Sequence, residues 1–244
     1  MTDILENLHQ VRARIAGACR AAGRDPREVR LLLATKTVPA DRIKMALRAG
    51  QTLIAENKVQ EIREKYEALQ GLSYENHFIG HLQTNKIREL LRYKITCIQS
   101  LDRLELAEKL HQRLLSGQRT IDALIQVNTS GEASKFGIAP AEAVTLAHAL
   151  APLTAIRVKG LMTIGLFSAE TARVRACFRL LRSVRDQIAG AAINGIEMKE
   201  LSMGMSGDLE TAIEEGATIV RVGTAVFGKR IHPDAYYWNE QPGE

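Results

Sequence analysis

Residues 29–50 read VRLLLATKTVPADRIKMALRAG. Leu31, Leu32 and Leu33 form an apolar run of strand length. Pro39 then stands where a first helical turn would start, and Gly50 follows the last residues of that turn pattern, the Pro-in, Gly-out asymmetry of a helix. The unit is strand, turn, helix, and its recurrence decides the fold. Seven further β-prone runs follow: TLIAEN (52–57), NHFIGH (76–81), ITCIQS (95–100), DALIQVN (122–128), VKGLMTI (158–164), ELSMGM (200–205) and IVRVGTAVFG (219–228).

Between these runs lie helical patterns. In DRLELAEKLHQRLL, Asp102 and Glu105 read as a capping box, with Leu104, Ala107, Leu110 and Leu114 at helical spacing. AEAVTLAHAL and ARVRACFRLLRSVRDQIAG behave in the same way, and an extra helix, ILENLHQVRARIAGACRAAG, precedes the first strand and ends at Gly23. Strands alternating with helices predict right-handed crossovers and a parallel sheet. Eight repeats in 244 residues fit a closed (β/α)8 TIM barrel better than an open sheet, and no GxGxxG follows an early strand to support a dinucleotide-binding fold. One domain is expected over 1–244, with the barrel at about 29–230 and a short C-terminal tail, 231–244.

A chain that is 45% hydrophobic and 25% charged has the balance of a globular protein. No stretch approaches the roughly 18 apolar residues of a membrane span, and the charged N-terminus is unlike a signal peptide. A soluble cytoplasmic protein without a membrane partner is expected. Cys19, Cys97 and Cys177 form no CxxC pattern and read as reduced thiols, with no metal site. The net charge of +5 comes from Lys and Arg scattered beside Glu, without aromatic stacking runs, which argues against nucleic acid. No exposed apolar seam forces a dimer, so a monomer is expected.

Barrel chemistry sits at the C-terminal ends of the strands, and phosphate often binds in the loops after strands seven and eight. Lys36 falls at the end of strand one, and the last two loops read SMGMSGD and RVGT. Ser202 offers a hydroxyl, Gly204, Gly207 and Gly223 permit close approach, Thr224 offers a hydroxyl and an amide, and Ser206 is placed to cap the following helix. Arg221 shares the facing of Gly223 by period two and would point into the mouth. Each piece has an ordinary explanation: a solvated rim lysine, a turn, an arginine paired with a core carboxylate such as Glu56. Together they describe a site for a phosphorylated aldehyde held as a Schiff base. Burial and a neighbouring cation would raise the fraction of neutral lysine that such chemistry needs.

The segments LLLATKT, AENKVQEIREK, HFIGHLQTNKIREL, IQSLDRLELAEKL, VNTSGEASKFGI, KGLMTIG and LSMGMSGDLETAIEEGATIVRVGTAVFGKR resemble, in order and over nearly the whole chain, the pyridoxal phosphate homeostasis proteins, relatives of the alanine racemase N-terminal barrel. The resemblance implies pyridoxal 5'-phosphate as cofactor, Lys36 as Schiff-base lysine and Arg221 at the pyridine nitrogen. It further implies Ser202, Gly223 and Thr224 at the phosphate, Asn57 near the cofactor, and Met162 and Met203 lining it. His81 and Asn85 stand either at the ligand or in loop structure. Ala55 replaces a glycine of many relatives, and Val38 a lysine of some, a transfer role for which Lys135 could stand in. An arginine at the ring nitrogen makes a weak electron sink. Racemase relatives draw a second base from another domain, whereas here a short tail follows strand eight, and its Tyr236, Tyr237 and Trp238 read as packing on the barrel exterior. The expectation is a carrier without catalytic residues, acting in intracellular cofactor homeostasis with other B6 vitamers and apo-enzymes as partners. A racemase-like enzyme is the alternative.

Overall fold

Each apolar run pairs with the next one in the chain. The computed structural model describes residues 3–228. Its strands are β1 (Arg30–Ala34), β2 (Leu53–Glu56), β3 (Glu75–Phe78), β4 (Ile95–Leu101), β5 (Ile121–Gln126), β6 (Ile156–Met162), β7 (Ile196–Ser202) and β8 (Ile219–Val222), in a closed barrel in chain order. Closure comes from β8 pairing in parallel with β1, Leu32 opposite Arg221 and Leu33 opposite Val222. Helix α1 (Ile4–Ala21) precedes the first strand. After the strands in turn come α2 (Ala40–Arg48), α3 (Val59–Leu69), α4 (Ile87–Leu90), α5 (Leu104–Ser116), α6 (Ala143–Leu150), α7 (Thr171–Gly190), α8 (Leu209–Glu214) and α9 (Thr224–Phe227).

Period two along the strands sorts the core into layers. Leu33, Ile54, Phe78, Ile98, Leu161 and Val220 face outward and join one large cluster with helical residues such as Ile43, Leu110 and Phe178. Each such side chain contributes roughly 1.5–3 kcal/mol by leaving water. The inward residues form two small apolar clusters, Leu32, Leu53, Ala55 and Ile219 on one side and Cys97, Leu124 and Met162 on the other. Buried polar groups, His77, Gln99, Ser202 and Arg221, also face inward.

Local chemistry sets the helix ends. Asp3 caps α1 by accepting from the amides of Leu5 and Glu6. Pro39 is the N-cap of α2, and Gly50 follows that helix at φ +80°, where a Cβ would be strained. Three expectations fail locally. Asp102 caps nothing; it pairs with Arg103, 2.5 Å away, and α5 starts after Arg103 with no side-chain cap. Strand β8 stops at Val222, and the residues after Gly223 turn into α9. Asp208, not Ser206, is the N-cap residue of α8. Tyr236, Tyr237, Trp238 and the tail lie outside the described residues. Among those residues no helix is long and apolar enough to cross a membrane, and Cys19, Cys97 and Cys177 are free and buried.

Candidate functional site

Lys36 follows β1 by two residues, in a turn closed by the Val38 amide donating to the Thr35 carbonyl. The residue is only 9% exposed. Both neighbours are anchored. The Thr35 hydroxyl lies 2.6 Å from Glu56 Oε1, and the Thr37 amide donates to Glu61 Oε2 at 3.0 Å. Thr37 has φ +63°, a left-handed conformation that a β-branched residue adopts at a cost of about 1–3 kcal/mol, so the surroundings hold it there.

The anchor is a buried ion cluster. Lys65 Nζ on α3 donates to the Thr35 carbonyl at 2.8 Å, to Glu56 Oε1 at 2.7 Å and to Glu61 Oε2 one helical turn before it. Glu56 Oε2 is buried without a hydrogen-bond partner, and burial pushes the carboxyl up to about 7 against the pull of Lys65 and Thr35. Glu56 shares the outward facing of Ile54 and meets Lys65, so it does not pair with Arg221. The residue after it, Asn57, is fixed by its backbone. A Cβ on Gly80 would come within 1.8 Å of the Asn57 carbonyl oxygen, and only glycine permits that approach.

Arg221 on β8 is 6% exposed and lies beside β1. Its NH1 donates to Ser202 Oγ at 2.9 Å and its NH2 to the Thr163 carbonyl at 2.7 Å. Burial lowers its pKa to about 10, with the Asp208 carboxylate opposing. Two of its five N–H groups are thereby used among the described residues. Ser202 is fully buried and its hydroxyl is committed, donating to Gln99 Oε1 at 2.6 Å while accepting from Arg221. It backs the guanidinium and does not line an open cradle.

The loops after β7 and β8 meet at the mouth, where Thr224 Oγ1 lies 3.5 Å from Ser206 Oγ. Gly204 turns the first loop at φ +90°, where a Cβ would press within 2.4 Å of Ala212. Helix α1 braces this loop: Arg14 donates to the Ser206 carbonyl at 3.0 Å and pairs with both Glu210 oxygens, at 2.7 and 2.9 Å. Thr224 opens α9, where the Val226 and Phe227 amides donate to the Gly223 carbonyl at 3.1 and 2.9 Å.

Of the residues singled out from sequence, Lys36, Arg221, Gly223 and Thr224 fall on or just after the adjoining strands β1 and β8, and Met162 joins the inward cluster of Cys97 and Leu124. Met203 packs in the outward cluster, because the residue after inward Ser202 must point the other way. His81 stacks on Phe136 at 4.1 Å between ring centroids and faces Asp102 at 3.7 Å. Asn85 lies in the 3-10 turn Thr84–Lys86, and Lys135 is engaged by the Gly165 carbonyl and Glu132. Sequence reading missed His77 and Gln99, whose sign was a polar residue at an inward position of an apolar run. Among the described residues no His, Cys, Asp and Glu group is placed to hold a metal.

The family model of the alanine racemase N-terminal domain matches residues 7–231. A protein of Aquifex aeolicus named pyridoxal phosphate homeostasis protein is 44% identical over 92% of this chain and 97% of its own length. The solved structure of PipY from Synechococcus elongatus, with PLP bound, superposes with a TM-score of 0.81 at 31% identity, covering 93% of this chain and all of PipY. A Clostridium difficile alanine racemase shares the fold, with a TM-score of 0.73 at 14% identity, and this chain spans 58% of it.

Proposed function

This chain belongs to the pyridoxal phosphate homeostasis proteins, within the alanine racemase N-terminal domain family, and on that premise we propose that it binds pyridoxal 5'-phosphate reversibly at the barrel mouth. The observation that carries the reading is the pairing of β1 with β8, which brings a buried lysine and a buried arginine to one end of one barrel. When bound, the cofactor supplies an aldehyde that condenses with a neutral amine, releasing water.

The residues present fit that group. Lys36, buried and rigidly mounted, is the tether. Arg221 donates to the ring nitrogen and keeps it unprotonated, which weakens the ring as an electron sink. Ser206, Gly223 and Thr224 take the phosphate. Ser202 acts on the ring through Arg221, Met162 flanks it and Asn57 borders the tether. The single domain over 1–244 expected from sequence remains part of this reading.

The function is holding and releasing a reactive aldehyde inside the cell, with delivery to apo-enzymes, and not turnover. The names of the relatives support it, while the racemase likeness, at 14% identity, speaks for the fold alone. Protein loaded with the cofactor should be yellow, and borohydride should leave a pyridoxyl group on the peptide containing Lys36. Colourless protein, or label elsewhere, would overturn the site. Incubation with L-alanine in deuterated water should give no Lys36-dependent exchange at Cα, and rapid exchange would establish the racemase alternative.

A further inference from the structure

A chain of buried polar side chains crosses the barrel interior beneath Arg221. Arg221 NH1 donates to Ser202 Oγ at 2.9 Å, Ser202 Oγ to Gln99 Oε1 at 2.6 Å, and Gln99 Nε2 lies 2.8 Å from His77 Nδ1. At the far end His77 Nε2 is 3.7 Å from Glu75 Oε2, and Glu75 Oε1 accepts from Arg30 at 2.7 Å. Ser202 and Gln99 are fully buried, and His77 is 4% exposed. The four links come from β8, β7, β4 and β3, so no local motif explains them. They fill the space between the two inward apolar clusters.

The direction of every bond follows from one end. A guanidinium has donors and no acceptor, so Ser202 Oγ must accept from Arg221. The single hydroxyl proton is then left for Gln99, whose other polar partner is His77, and the amide must turn its oxygen toward Ser202. The network alone thus fixes which end of the amide is oxygen. Its NH₂ therefore faces His77 Nδ1, which must be bare, with the ring proton on Nε2 toward Glu75. A proton on Nδ1 would set two donors against each other, turn the amide and leave Ser202 without an acceptor.

We propose that Gln99 and His77 are positioning residues for Arg221: the Nε2–H tautomer of His77 orients Gln99, Gln99 orients Ser202, and Ser202 aims the guanidinium at the ring nitrogen of the bound cofactor. The bond directions stand on the geometry alone, and the effect on the ring rests on the site proposed above. The chain also explains how polar atoms persist in a barrel core, since each is satisfied only in this order.

The test begins with unmutated, cofactor-free protein carrying 15N-labelled histidine. The chain has six histidines, and His77→Gln assigns the signal. At pH 7 Nδ1 should show the shift of an unprotonated acceptor and Nε2 that of an N–H. A proton on Nδ1, alone or with both nitrogens protonated, overturns the proposal without any variant having to fold. Gln99→Leu and Gln99→Glu are then loaded with pyridoxal 5'-phosphate carrying 15N in its ring. The leucine variant should shift the ring nitrogen signal and release cofactor about tenfold faster, the scale for losing a hydrogen bond linked to a charge. The glutamate variant still accepts from Ser202 and should keep the native ring signal while drawing a proton onto His77 Nδ1, which then faces a carboxylate. A packing role reverses that order, because leucine then passes and the buried carboxylate fails, and this result overturns the proposal. If the unmutated protein takes up no cofactor, the site reading and the ring-directed role both fall, while the histidine tautomer still decides the bond directions by itself.

Discussion

Lys65 Nζ lies 2.7 Å from Glu56 Oε1, and both groups are buried within the anchor beneath the Lys36 turn. Lys65 also donates to the Thr35 carbonyl, so it supports the turn that carries Lys36. Lys65→Met leaves Glu56 buried and uncompensated at pH 8. Urea unfolding should show a loss of about 3–5 kcal/mol, and the double variant with Glu56→Gln should regain part of it. Additive losses would mean the two side chains do not act as a pair.

Glu56 also sets a pH dependence. Burial raises its carboxyl from 4.5 to about 7 in the folded chain. Between those values the native state holds a proton that the unfolded chain has released, so stability falls as pH rises through the window and levels off above it. Denaturant midpoints from pH 4.5 to 8 should decline in the unmutated protein relative to Glu56→Gln, by on the order of 1–3 kcal/mol in all. Parallel curves would place the titration elsewhere.

Two glycines near the mouth should respond in opposite ways. Gly80→Ala puts a methyl 1.8 Å from the Asn57 carbonyl oxygen, and backbone cannot yield cheaply, so a loss of roughly 1–3 kcal/mol or more is expected together with weaker cofactor retention. A Cβ on Gly207 meets nothing within 4 Å, so Gly207→Ala should stay within about 0.5 kcal/mol. Thermal melts and cofactor titrations of the pair check both.

Ser202 and Thr224 separate the two halves of the proposed site. Thr224→Ala should weaken cofactor binding by roughly 0.5–3 kcal/mol through the phosphate while leaving the absorption band in place. Ser202→Ala should move the band, because the Ser202 hydroxyl contacts Arg221 and Gln99. Titration by absorbance reads both effects, and a shifted band in the threonine variant would undo the division of roles.

The barrel was legible because period-two apolar runs alternate with helical ones, and that pattern survives without knowledge of any contact. Lys36 and Arg221 were legible because charges in such runs are conspicuous. Strand facing carries two further consequences: Ser202 inward requires Met203 outward, and Ile54 outward puts Glu56 beside α3 and away from Arg221. Asp102 misled because its chain neighbour Arg103 and the more distant His81 both engage its carboxylate, away from the helix amides. The Gln99–Ser202 bond spans 103 residues, and no local signal announces such a partner.

The strand pair that closes the barrel joins the two ends of the folding problem. Arg221 stands opposite Leu32, so a nascent chain that has made seven strands already displays Lys36 but has nothing to set against it. Pairing so distant in sequence carries a loop-closure entropy that local pairs do not. On the proposed site, retention of the aldehyde would then require synthesis to have reached the last strand. Ligand occupancy would then report that β8 has been made: pyridoxal 5'-phosphate should raise the melting temperature of the full chain and leave that of a fragment ending before Ile219 unchanged.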